Sequence, residues 1–598
     1  MIFPFYLSPH QRACIWKQKQ RQAKIDSLPS SYFAHLSQVE HKIHALSLSQ
    51  LVSQCKSGAI SPSRIMLAYA KKAIRAHQAT NCLSDIMFNE ALVTSAVANW
   101  GPGIDSDSTN ESLLRERPLM GVPISVKETI DVAGHDSTIG YSRYVGQPAK
   151  ESSAIVRLLQ DAGALVHLKT SVPTGLLAIE TSSAVFGRTT NPYNPSHSAG
   201  ASTGGGAALL ACGGSKIEVG TDLAGSVRIP AHFCGVWSLK GSAGRFPIWG
   251  NRSPMVGLES LPILAAPMAN SLDDLSEFWK RVVDMKPWQY DHTCIPLPWR
   301  PIDLQEEGRR LKWGVIWEDG TIPPTPACRR ALSAVISALK KQGHEVVDFK
   351  PPSIMEGLKI GYQLLFSDGG EQTRAPLLRT ETTSPPTHHV LTLLRLPKFV
   401  KSILSRILRS RVLSFVFRSQ PDPLSAELYS ILHTKTVMEE RQLVHERDRY
   451  RAKWHQQLIA EGIDFILTVP HALPALENGG SERATLMSAG YTFIFSLLDY
   501  PAGVIPTTTV TSTLDALPPN FYASSTYDQL NAIAKGAYLE YNAEKMHGLP
   551  LGVQIVGKRM EEEKVLAGMK VVEQALKASG VVFDAKLPSE LSSSPSVL

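Results

Sequence analysis

The sequence predicts an α/β protein: one large domain with a mixed central β-sheet flanked by helices on both faces, preceded by a helical N-terminal arm. Three observations carry this. Short apolar runs rich in β-branched residues alternate with helical periods from Gly121 to Lys577, the pattern of strands that pair beside crossover helices. Apolar content of 43% against 19% charged residues is enough to cover both faces of such a sheet. A glycine- and serine-rich run, Ser198-Ala-Gly-Ala-Ser202-Thr-Gly-Gly-Gly206, leads straight into an apolar helix and a strand, which a flexible linker would not do.

Taken in order, Lys17 to Gln54 is polar and basic with helical stretches, an arm wrapped on the core. Ser61-Pro-Ser63 opens a helix through His77, proline standing where a helix tolerates it. Asp105 to Arg117 reads as a polar loop, and Gly121-Val-Pro-Ile-Ser-Val-Lys127 as a strand that ends on a lysine. Ser152 to Gly163 is a capped helix and Ala164 to Lys169 the strand after it. Ser202 suits the N-cap of a helix over Gly204 to Cys212, and Gly213 its stop. Lys216 to Gly220 is a short strand that delivers Thr221 to Ser226 into a tight loop. The alternation resumes with a helix over Lys453 to Glu461 and a strand over Phe465 to Thr468, then a helix over Tyr491 to Leu497 and a strand over Val504 to Thr507. A strand over Leu551 to Val556 and a helix over Glu562 to Lys577 close the pattern. His388-His389 falls in a Thr/Pro-rich loop, and the tail from Ser589 is expected to be disordered.

Two serines and one lysine, each set among small or apolar residues, supply the parts of an acyl-transfer site. A hydroxyl nucleophile needs a base, and a lysine can serve if burial lowers its pKa toward neutrality. Ala224-Gly225 ahead of Ser226 lets backbone N–H groups approach a reacting carbonyl, as an oxyanion hole requires. Alone, a lysine at a strand end is most often structural; the three together are the signal. A phosphate-cradling loop would need Gly-Lys-Ser/Thr at its end, and a dinucleotide fingerprint a further glycine where Leu209 stands.

In these stretches the chain resembles the amidase signature family. Members of that family carry a lysine after a Gly-Val-Pro-like strand, a Gly-Gly-Ser-Ser-Gly-Gly run and a Gly-Thr-Asp-x-Gly-Gly-Ser-x-Arg motif, matched here by Gly121 to Lys127, Gly200 to Gly206 and Gly220 to Arg228. The resemblance implies Ser226 as nucleophile, Ser202 as a bridging serine on a cis peptide bond, and Lys127 as terminal base. It also implies an oxyanion loop of Leu223, Ala224, Gly225 and Ser226. The chain departs from the family in having Ala201-Ser202-Thr203 for Gly-Ser-Ser and Ala224 for the loop's first glycine. A methyl group at Ala224 would narrow the hole if φ there were positive. Resemblance from about Leu46 to Leu576 implies an N-terminal helical arm over residues 1–88, an amidase signature domain over 89–580, and the tail over 581–598.

Composition bounds the rest. The seven cysteines are odd in number, scattered and without a CxxC pair, which fits reduced thiols in a cytoplasmic setting; Cys234, near the nucleophile loop, reads as a small packing residue. No HExxH is present, and neither a metal nor a cofactor is expected. Met1 to Leu7 is too short and broken for a signal peptide, and no apolar stretch is long enough to span a membrane.

Two branches of the family compete for the substrate. Trp288 to Asp291 and Ile295 to Arg300 resemble the fungal general amidases and acetamidases. Phe366 to Gly370, Leu394 to Phe399 and Leu498 to Val504 resemble fatty-acid amide hydrolases. Leu176-Leu-Ala-Ile179 aligns with a substrate-channel segment of the lipid enzymes and is wholly apolar here, so Leu176 and Ile179 are expected to line an acyl channel. From Val390 to Arg418 there are seven basic residues and no acid. Phe399, Val400, Ile403, Leu404, Ile407, Leu408, Val412 and Phe415 recur there at helical steps after Pro397, giving a basic amphipathic cap over 390–420 that would lie in a membrane interface or pack on the core. The expected partners are a small-molecule amide and, peripherally on a membrane's cytosolic face, lipid met through 390–418. No nucleic acid is expected, and a homodimer is left open. The expected reaction is amide hydrolysis through an acyl-enzyme. The alternatives are a short-chain or aryl amidase, or a non-catalytic or amidotransferase-like relative.

Overall fold

The computed structural model describes residues 7–97, 117–304, 310–410, 422–588 and 591. Its centre is an eleven-stranded mixed sheet, joined by a two-stranded ribbon. In chain order the strands are β1 (Leu83–Ile86), β2 (Pro123–Lys127), β3 (Leu165–Thr170), β4 and β5 (the ribbon, Ser182–Ser183 and Gly187–Arg188), β6 (Ile217–Asp222), β7 (Trp237–Lys240), β8 (Leu264–Ala269), β9 (Lys312–Val315), β10 (Glu345–Asp348), β11 (Phe465–Thr468), β12 (Ala502–Thr509) and β13 (Pro550–Val556). Across the sheet they run β1-β3-β2-β6-β8-β7-β12-β13-β11-β9-β10. β2 is parallel to both β3 and β6, while β8, β7, β12 and β13 pair antiparallel. Every residue of β2, β3, β6, β8 and β13 is buried, because helices cover both faces of the sheet.

The edge strand β1 is sealed by the N-terminal helix Pro9–Asp26. Arg21 donates to the Leu83 carbonyl at 2.7 Å and Lys24 reaches Asp85 at 2.5 Å, which takes an open sheet edge out of use for stray pairing. Farther along the same helix Lys17 is buried against Asp136 at 2.8 Å. Ser61 caps the helix Pro62–Thr80, which packs its Ile65, Met66, Tyr69 and Ile74 into the main core. A second core gathers the helices Ile354–Leu365, Val437–Ala460 and Gly490–Leu497 around Leu177, Leu223, Tyr362, Trp454 and Phe493.

Most predicted elements are present, and the differences have physical causes. The helix after the glycine run spans Gly204–Ala211, but its N-cap is Thr203 with no side-chain bond, not Ser202, whose hydroxyl is engaged by Lys127. Gly213 ends it at φ +74°, as a left-handed stop requires. The helix after Ser152 begins at Ala154; the Ser152 hydroxyl accepts the Ala133 N–H instead of capping it. His388-His389 lies in a helix, Pro385–Arg395, and not in a loop: the prolines there occupy its first turn. A second helix, Lys398–Arg409, follows directly. The polar loop 105–116, the cap from 411 to 421 with Val412 and Phe415, and residues 589, 590 and 592–598 of the tail lie outside the described residues.

Candidate active site

The site forms at the carboxyl ends of the parallel strands β2 and β6, where open α/β sheets place their ligands. β2 ends on Lys127, which is fully buried. Its Nζ donates to Ser202 Oγ at 2.8 Å, to Thr221 Oγ1 at 2.9 Å and to the Thr221 carbonyl at 3.1 Å. Ser202 follows a cis peptide bond from Ala201 and is itself 1% exposed. Burial costs an ammonium ion its hydration, and this lowers the Lys127 pKa to about 7 against the opposing pull of Asp222 and Glu218. A base of that strength exchanges protons near neutral pH.

The loop after β6 is organised by Asp222. Its carboxylate accepts N–H groups from Gly225 at 2.8 Å and Val227 at 3.1 Å, and binds Arg228 through Nη2 at 2.8 Å and Nε at 3.1 Å. Burial pushes the Asp222 carboxyl up, but the Arg228 guanidinium outweighs it and holds the pKa at about 2. Arg228, also fully buried, donates onward to Ser496 Oγ and the Thr492 carbonyl, both at 2.8 Å, and to Gln554 Oε1 at 3.0 Å. Thr492 in turn donates to the Ala224 carbonyl at 2.6 Å. The positive φ of this loop falls on Gly225, at +125°, where a Cβ would collide with Thr492 Oγ1, and not on Ala224. The methyl group at Ala224 therefore carries no backbone strain.

Ser226 stands at the end of the loop, half-buried, with its carbonyl accepting the Thr203 N–H at 3.0 Å. A side-chain bond between Ser226 and Ser202 is not among the hydrogen bonds of the described residues. Ser226, Gly225 and Ala224 line one cavity with Leu176, Ile179, Tyr362 and Phe493. Leu223 packs beside it in the second core. The cavity is apolar and tight, with about 40 Å³ of free space. Its wall includes a strained residue, Leu176 at φ +63°, a left-handed conformation costing a leucine on the order of 1–2 kcal/mol. The next residue, Leu177, offers its carbonyl to the hydroxyls of Thr387 and Ser384 at the start of the helix Pro385–Arg395.

Asp222 and Arg228 stand within the motif of the sequence, where their six-residue spacing between strand and helix is the only local signal of their pairing. Thr492, Tyr362 and Phe493 arrive from distant segments with no local signature. Glu218 was also missed: Thr170 Oγ1 donates to its carboxyl at 2.7 Å, as does Ser125 Oγ, and burial raises its pKa to about 7. Cys234 is fully buried at 3.5 Å from the Ala199 carbonyl, with its thiol pKa pushed well up by burial, as suits a packing residue.

A buried lysine of near-neutral pKa bonded to a serine, with a second serine on a tight loop facing an apolar cavity, is an arrangement suited to acyl transfer. The model of the family described as Amidase matches residues 64–566, and the chain belongs to that family. It is a hydrolase acting on amide bonds. The chain is 32% identical over 541 residues to fatty-acid amide hydrolase 1 of Sus scrofa, covering 89% of this chain and 86% of that protein. It is 30% identical over 561 residues to amidase 1 of Gibberella moniliformis, covering 93% and 98%. Among solved structures it superposes on a fatty acid amide hydrolase with a TM-score of 0.78 at 24% identity, covering 96% of this chain and 97% of that one.

Proposed function

We propose that the protein hydrolyses hydrophobic amides, including fatty-acyl amides, through a Ser226–Ser202–Lys127 triad. Ser226 Oγ attacks the amide carbonyl as its proton passes to Ser202, whose own proton passes to the neutral Lys127 amine. The relay then runs backward: the proton reaches the leaving nitrogen, the C–N bond breaks, and an acyl ester remains on Ser226. Water attacks that ester by the same relay, freeing the acid and restoring the serine. The N–H of Gly225 is held by Asp222, so the groups we assign to the developing oxyanion are the N–H donors of Leu223, Ala224 and Ser226, with Gly225 supplying the turn.

The observation that carries the reading is the 2.8 Å contact of Lys127 with Ser202 in a dry site, with an amine pKa of about 7. Preference for an acyl chain is supported by the wholly apolar lining around Leu176, Ile179 and Phe493, since each buried methylene contributes about 0.8 kcal/mol. Peripheral membrane action is supported by the helix Lys398–Arg409, where Phe399 is 68% and Ile403 51% exposed beside exposed Lys398, Arg406 and Arg409. None of that helix's apolar residues is buried. No helix among the described residues is long and apolar enough to cross a membrane, so contact would be interfacial.

One observation favours the second reading, a short-chain or aryl amidase. The cavity's 40 Å³ holds no long chain unless its wall moves. The deciding experiment is kcat/KM on primary amides of increasing acyl length. The lipid reading expects the value to climb with each methylene beyond short acyl groups; a maximum at acetamide or an aryl amide overturns it.

A further inference from the structure

We propose that the cleft between the helix Lys398–Arg409 and the segment Ser430–His433 is a binding site for a phosphate group, separate from the amide site. The cleft, about 380 Å³, is lined by Lys398, Lys401, Arg406 and Arg409 on one side and by Ser430 and His433 on the other. An amphipathic surface helix ordinarily turns its apolar stripe to the protein and its charges to water. In Lys398–Arg409 the two buried residues are instead polar, Lys401 and Ser405, while Phe399 and Ile403 are exposed.

The cations there are uncompensated. Lys401, 3% exposed, is held by carbonyl dipoles, Leu432 at 2.8 Å and Leu394 at 3.2 Å, and not by a carboxylate. Lys398, Lys401, Arg406 and Arg409 make no ion pair among the described residues. Residues 411–421 cannot neutralise them either, because the sequence holds no acid between Glu381 and Asp422. Asp422 caps the neighbouring helix through the Ser425 N–H at 3.2 Å and does not line the cleft. The field of Glu439 reaches Lys398 and His433, but its carboxylate is engaged in its own helix cap with the Thr436 N–H at 2.7 Å.

A second, independent observation points to a ligand. Ser405 is 5% exposed, lines the cleft, and its hydroxyl has no hydrogen-bond partner among the described residues. That hydroxyl opens onto the cleft, so an acceptor seated there can take its hydrogen. Guanidinium, ammonium and hydroxyl donors converging from two elements match an anion with several acceptor oxygens and more than one charge, as a phosphate group has. That group could belong to a free phosphate ester or to a lipid headgroup.

The test uses the full-length protein in a chloride buffer, titrated calorimetrically with inorganic phosphate. Saturable binding at one site is expected, about tenfold or more weaker in Arg406→Gln/Arg409→Gln and measurably weaker in Ser405→Ala. Lys340→Gln/Lys341→Gln removes the same charge from a distant exposed helix end and should bind as wild type; melting curves check that each variant folds. Absence of saturable binding, or equal losses in the two double variants, overturns the proposal. The second arm is co-sedimentation with phosphatidylcholine vesicles with and without phosphatidic acid. If inorganic phosphate at constant ionic strength displaces the protein from the phosphatidic acid vesicles, the occupant is a lipid headgroup. If it does not, while calorimetric binding holds, the occupant is a soluble phosphate ester.

Discussion

Glu218 lies opposite Ser125 across the parallel β2/β6 ladder and accepts that serine's hydroxyl hydrogen, two residues before Lys127. It also occupies the space over Gly206, where any side chain would overlap its carboxyl. A carboxyl and an amine thus share one dry layer, each with a pKa of about 7, and they titrate as a coupled pair. The Glu218 charge favours the protonated lysine. Glu218→Gln should therefore move the acid limb of kcat/KM to lower pH and simplify it toward a single proton. A limb that stays or moves to higher pH would remove Glu218 from the tuning of the base.

As the proposed base, Lys127 would tie activity to stability with a definite sign. Its pKa of about 7 in the folded protein lies below the 10.5 of a free lysine. Between those values the unfolded chain holds a proton that the folded chain lacks, so this group makes stability rise with pH across that window. The raised Glu218 acts in the opposite sense, between 4.5 and about 7. Lys127→Met should flatten the upper window in denaturant unfolding at a series of pH values, while lowering kcat by roughly 10²–10⁴-fold. An unchanged pH–rate profile would exclude it as the base.

Ser226→Ala should abolish labelling by a fluorophosphonate probe without loss of folded protein. Ser202→Ala should slow labelling without abolishing it, because in the proposed relay Ser202 passes a proton and forms no bond to substrate. Undiminished labelling of Ser226→Ala would reassign the nucleophile.

How far the sequence could be read depended on whether a constraint is local. The glycine run, the lysine-ending strand and the loop before Ser226 each write their geometry into adjacent residues, so the proximity of Lys127 to Ser202 follows from local signals. Ser202 suits a helix cap in sequence, but the approach of β2 engages its hydroxyl with Lys127 and leaves Thr203 at the N-cap. Thr492 and Tyr362 reach the site from the second core, and nothing around them in the chain announces it. For the basic helix, periodicity does not say which side turns inward. The inward side is the one with Lys401 and Ser405.

That orientation bears on membranes. Phe399→Ser/Ile403→Ser changes two exposed side chains, and such substitutions usually move stability within about 0.5 kcal/mol. The double variant should lose co-sedimentation with anionic vesicles while keeping its rate on a water-soluble amide. High salt should weaken wild-type sedimentation, since lipid attraction contributes near ~1 kcal/mol per basic residue and is screened. Wild type that stays in the supernatant at low salt would count against membrane action.

The tight cavity makes its own prediction. Leu176 is strained at φ +63°, and the adjoining Leu177 carbonyl is held by Thr387 and Ser384 from the helix that runs into the basic one. If long acyl chains enter by displacing this wall, Thr387→Val should loosen the tie and favour entry. The expected result is a lower KM for long-chain amides with little change in kcat for acetamide. Leu176→Gly would relieve the strain but remove an apolar contact, so its gain on long chains should be smaller than that of Thr387→Val. Equal effects of Thr387→Val on short and long amides would mean that the wall does not gate the chain.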